Sequence, residues 1–72
     1  MATSQERHWF HAHAVDSNGN QTVYDVRKKG HSVYIQDADG KRHLCHPSVV
    51  DVAGVKREVA IVFHGRVTRI ET

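Results

Sequence analysis

Seven of the 72 residues are histidine, the side chain whose charge changes nearest neutral pH and a frequent metal ligand. Their spacing is suggestive in two places, His11-Ala12-His13 and His43-Leu44-Cys45. Alternate residues of a strand share one face and lie about 7 Å apart along it. Each triplet on a strand therefore aims two donors in the same direction. His11, His13, His43 and Cys45 together would supply three imidazoles and a thiolate, a donor set suited to zinc. Geometry works against that set. The triplets fall in what read as the first and fourth strands of a hairpin series, about 14 Å apart in a flat sheet. Only strong curling brings them together. If Phe10, Ala12, Ala14 and Leu44 face the core, both pairs point outward, where a convex surface spreads them. The expectation is solvent-facing histidines, with zinc on these four residues as the alternative.

Other reactive groupings are weaker. Cys45 and His46 are neighbours, and neighbours on a strand face opposite ways, so His46 is badly placed to activate the thiol. Asp37 and Asp39 belong to a turn, where aspartate bonds its own backbone. The string Asp37-Ala38-Asp39-Gly40 lacks the remaining ligands of a calcium loop. No cofactor motif and no acid–base pair stands out, and the chain reads as a non-enzyme. Cys45 is the one cysteine, which rules out a disulfide within the chain and suits a reducing compartment.

The elements that must position these residues are strands. Valine outnumbers leucine eleven to one, and β-branched side chains favour a pleated surface over a helix. Strand one spans His8 to Val15, with Phe10, Ala12 and Ala14 on one parity and Trp9, His11, His13 and Val15 on the other. Asn18-Gly19 is a hairpin signal. Strand two runs from Gln21 to Lys28 with Tyr24 and Val26 inward. Strand three runs from His31 to Asp37 with Val33 and Ile35 inward, and strand four from Lys41 to His46, stopped by Pro47. Val49 to Lys56 reads as a short strand, a turn of 3₁₀ helix, or both in succession. Arg57 to Phe63 reads as the most apolar strand, central and covered on both sides. Gly65 then marks a bulge or bend before Arg66 to Glu71.

The expected fold is all-β: an antiparallel meander of five to six strands, curled into a small SH3-like barrel or left as a half-open sheet, with no substantial helix. Residues 1–7 read as a disordered lead-in and 8–72 as one small domain. No apolar run is long enough to span a membrane and no secretory signal is evident, so a cytoplasmic protein is expected.

A net charge of +2 permits nucleic-acid contact without arguing for it. A domain this small buries a marginal core and commonly leans on a metal or a partner. The chain therefore reads as a non-catalytic binding module acting on a protein partner or on a second copy of itself, most simply as a homodimer. The expected surface comprises outward Trp9, His11, His13 and Tyr34, with Arg27, Lys28 and Lys29 at its rim. Exposed aromatics with arginine are typical of interfaces. The same combination can stack single-stranded bases, which makes nucleic acid the runner-up. A secondary surface is read in His64, Arg66 and Thr68.

Overall fold

A computed structural model describes residues 5–72, so most of the expected lead-in, 1–4, lies outside the described residues. The first strand, β1, already begins at Arg7 and runs to Val15. It is followed by β2 (Gln21–Lys29), β3 (Ser32–Gln36) and β4 (Arg42–Leu44). A helix, α1 (Val52–Glu58), continues as a π-helical segment (Val59–Phe63), and β5 (Arg66–Glu71) follows it. The five strands form one antiparallel sheet in the order β4-β3-β2-β1-β5. The antiparallel meander is as the alternation of residues implies. It stays open, because β5 pairs with β1 rather than with β4.

Two hairpins turn by the same device. Asp16 Oδ1 accepts the backbone N–H of Asn18 and Asn20, each at 2.9 Å, while Gly19 N–H donates to the Asp16 carbonyl. Asp37 repeats it with Asp39 and Lys41, and Gly40 donates to the Asp37 carbonyl. Gly19 and Gly40 take φ of 83° and 86°, the left-handed region that glycine enters without strain. These aspartates therefore serve the turns.

One face of the sheet is buried. Phe10, Ala12, Ala14, Tyr24, Val26, Val33 and Ile35 point into it, and the fully buried Val55 and Val59 cover them from the helix. Arg57 to Phe63, which alternates like a strand, is helical from end to end. A second period explains this. Val52, Val55, Val59 and Phe63 recur at three- and four-residue spacing and all meet the core, whereas Ile61 is 63% exposed. Asp51 caps the start, its side chain accepting Gly54 N–H at 2.8 Å, which satisfies a donor that the first turn leaves orphaned. The helix stops at His64, whose φ of 57° is left-handed.

The expected bend at Gly65 is this helix end. Gly65 is buried, and a Cβ there would sit 3.4 Å from Val59 and 3.7 Å from Ala14. The irregularities of pairing lie elsewhere, at Trp9 in β1 and at Thr68 in β5. Among the described residues no helix is long and apolar enough to cross a membrane.

Candidate functional site

The face of the sheet opposite the helix has no covering layer among the described residues. Pairing sets its composition: His11 lies opposite Asp25, His13 opposite Val23, and Arg27 opposite Tyr34. Four of the expected surface residues, His11, His13, Arg27 and Tyr34, thus share this open face. Trp9 and Lys28 do not join them. The register shifts between His8 and Phe10, so Trp9 is the extra residue of a bulge. It packs against the core, edge-on to Phe10, with the Lys28 ammonium 3.7 Å over its ring. Lys28 has the parity of Tyr24 and Val26 and lines a pocket with Val33 and Val49. Lys29 is exposed at the end of β2.

The open face is a lattice of opposite charges. Arg27 Nε donates to Asp25 Oδ2 at 2.7 Å, and His8 Nδ1 lies 2.9 Å from Asp25 Oδ1. Burial opposes the charge on Asp25, but these bonds outweigh it and hold the carboxyl below its ordinary range. Glu6 pairs with Arg27 at 3.5 Å and with Arg42, whose guanidinium stacks 4.7 Å from the Tyr34 ring centre. Both arginines thus already have carboxylate partners.

At the other side of this face, β5 is stitched to β1. His13 Nε2 lies 3.0 Å from Glu71 Oε1 and 3.1 Å from Arg69 Nη2. One ring nitrogen cannot both accept from Arg69 and donate to Glu71, so the two contacts belong to different proton placements. The His13 bond, helped by the Arg69 charge, holds Glu71 below the ordinary carboxylate range. Thr68 Oγ1 donates to the His13 carbonyl at 3.3 Å. Of the secondary surface, Arg66 and Thr68 are exposed on β5, while His64 and Arg66 border a shallow hollow with Val15 and Ala60.

The four residues His11, His13, His43 and Cys45 are not brought together. The sheet is open and two strands separate β1 from β4. The faces differ as well. Leu44 is 56% exposed and opposes Tyr34, so it belongs to the open face. His43 opposes the buried Ile35 and, with buried Cys45, points toward the helix. There His43 Nε2 meets Glu58 Oε2 at 3.0 Å, and the same oxygen accepts His46 N–H at 3.1 Å. Glu58 was invisible to strand-based reasoning because its segment alternates like a strand. Burial, then the Glu58 charge, pushes the Cys45 thiol up to about 12, so it is a poor nucleophile.

The most telling geometry is on the edge strand. Val67 pairs with Ala14 and Ile70 with Ala12, and the extra residue between them is Thr68. The bulge places Val67 and Ile70 on the core face together, although strict alternation would oppose them. Arg66 and Glu71, opposite Val15 and His11, likewise share the open face. Comparison with protein-family models, with curated proteins and with solved structures finds no match for this chain.

Proposed function

We propose that the chain is a non-catalytic binding module whose first partner is a second copy of itself, joined through the outer edge of β5. The bulge at Thr68 carries this reading. A two-fold axis between Thr68 and Arg69 would set two antiparallel β5 strands side by side. Val67 would then face Ile70 of the partner subunit, and Arg66 would face Glu71 of the partner subunit. Directly opposed residues in an antiparallel pair must share a face. The bulge meets that condition for both pairs. In that register the edge would match itself in hydrophobicity and in charge.

The rest of the fold favours the same solution. Among the described residues the outer side of β5 has no further strand, and an unpaired edge is a template for pairing. The opposite edge, β4, is three residues long, too short to compete well. Joining two β5 edges would make a ten-stranded sheet with the open faces of His11, His13, Arg27 and Tyr34 continuous across it. That enlarged surface would take a further protein partner. Arginines already neutralised by Asp25 and Glu6 favour protein over nucleic acid. A reduced Cys45 fits a cytoplasmic setting.

Sedimentation over a wide concentration range tests the reading, with a dimer expected. Arg66→Glu or Glu71→Arg alone should weaken it by setting like charges opposite. Mixing the two variants should restore association, because each then supplies what the other lacks. A strict monomer, or a dimer indifferent to both reversals, overturns the proposal. A salt-dependent change of Trp9 fluorescence with oligonucleotide would move the assignment to nucleic acid.

A further inference from the structure

We infer that His43, Cys45 and Glu58 form a zinc site that ties the β4 end of the sheet to the helix. Their donor atoms, one imidazole nitrogen, one sulfur and one carboxylate oxygen, all lie within 4.8 Å of one another. Zinc bonds of about 2.0–2.3 Å to such donors require a cluster of nearly this size, so small side-chain adjustments close it. Nitrogen, sulfur and oxygen together match a borderline-soft divalent ion better than magnesium or calcium, which take oxygen alone.

The surroundings hold the three donors in place. His43 and Cys45 flank Leu44, and Cys45 N–H donates to the Val33 carbonyl at 2.9 Å, continuing the strand pairing past β4. Both side chains therefore face the helix. Glu58, at the last turn of α1, is oriented by the His46 N–H. The Phe63 ring stands edge-on to His43, its centre 5.9 Å away, and walls one side. A thiolate and a carboxylate would neutralise a divalent ion, so the complex leaves no net charge in a half-buried place. Three protein ligands leave the fourth position for water or a partner's side chain.

A second cluster, His8, His11 and Asp25, also has its donor atoms within 4.8 Å of one another but is the poorer candidate. It lies on the open face, and its carboxylate is bound by the Arg27 guanidinium at 2.7 Å, a cation that opposes metal entry. The site at Glu58 also answers a structural need. A 72-residue chain is in the size range where a structural metal commonly supplements the core.

The test uses the whole chain, made without a histidine tag, stripped with a chelator and titrated with Co²⁺ and then Zn²⁺. One equivalent of Co²⁺ is expected to bind with an intense thiolate-to-cobalt charge-transfer absorption, and Zn²⁺ to displace it. Cys45→Ser should abolish that absorption. His43→Gln and Glu58→Gln, at positions that tolerate polar side chains, should weaken binding by about tenfold or more while circular dichroism shows the sheet intact. His8→Gln should change nothing. Failure to bind Co²⁺, binding without the thiolate band, or loss of binding only in His8→Gln would overturn the assignment.

Discussion

His43 Nε2 lies 3.0 Å from Glu58 Oε2, and this contact joins a three-residue edge strand to the last turn of the helix. The hydrogen bond from His43 is the main reason that the Glu58 carboxyl sits below its ordinary value of 4.5, and it outweighs the opposing effect of burial. A depressed carboxylate stabilises the fold above its unfolded pKa, and that contribution is lost as pH falls through the folded value. Acid unfolding of the metal-free protein should therefore steepen below pH 4.5. Glu58→Gln keeps an acceptor for the His46 N–H but loses the charge. It should cost about 1 kcal/mol near neutral pH and flatten the acid limb of a stability–pH curve measured by urea unfolding. An unchanged limb would show that the pair contributes nothing.

The helix makes a contrasting pair of predictions. Val55 is fully buried and Ile61 is 63% exposed. Val55→Ala removes two buried carbons and leaves a gap, for a loss of about 2–3 kcal/mol. Ile61→Ala should stay within about 0.5 kcal/mol of the parent. A strand over Arg57–Phe63 with Ile61 inward would give the opposite order. Thermal or urea unfolding of the two variants distinguishes them.

This contrast marks how far the sequence could be read. Strands β1 to β3 were legible because Phe10, Ala12, Ala14, Tyr24, Val26, Val33 and Ile35 alternate in step with a pleat and end at glycine turns. The helix was not, because Val59, Ile61 and Phe63 fit a two-residue period while Val52, Val55, Val59 and Phe63 fit a helical one. Packing over the sheet selects between them, and the Asp51 cap was the local sign. Strand β4 faces the opposite way from that expected of its sequence for a related reason. Leu44 is its only aliphatic residue, and transfer of leucine to the core is the ordinary expectation. Pairing with β3 instead sets Leu44 opposite Tyr34 and His43 opposite Ile35. That inversion removed two members of the expected metal set from the surface and supplied Glu58 as their neighbour.

The left-handed residue at the helix end is an opportunity for stabilisation. His64 holds φ of 57° and ψ of 30°, a conformation that costs a side-chain-bearing residue about 1 kcal/mol or more relative to glycine. The backbone N–H of Gly65 reaches the Val59 carbonyl at 3.4 Å, a long bond that relief of strain can shorten. His64→Gly should raise stability by about 1 kcal/mol, visible as a higher urea midpoint with unchanged slope. A lower midpoint would mean that the imidazole makes contacts worth more than the strain.

The paired turns make the last prediction. Asp16 and Asp37 each accept two backbone N–H groups across a five-residue loop that closes on a left-handed glycine. Each carboxylate gathers donors that would otherwise be left to water, and each fixes the register of the hairpin it closes. Asp16→Ala and Asp37→Ala should each cost about 1 kcal/mol. Asp→Asn at either position keeps an acceptor oxygen and should cost less. The hairpins differ in what they secure. Asp16 joins the two nine-residue strands β1 and β2, whereas Asp37 joins β3 to the three-residue β4. Asp37→Ala should therefore loosen β4 locally, speeding amide exchange at Cys45, whose N–H bonds the Val33 carbonyl, ahead of global unfolding. Asp16→Ala should leave Cys45 protection tied to the stability of the whole fold. Equal local effects from the two substitutions would refute this division between a core hairpin and a detachable edge.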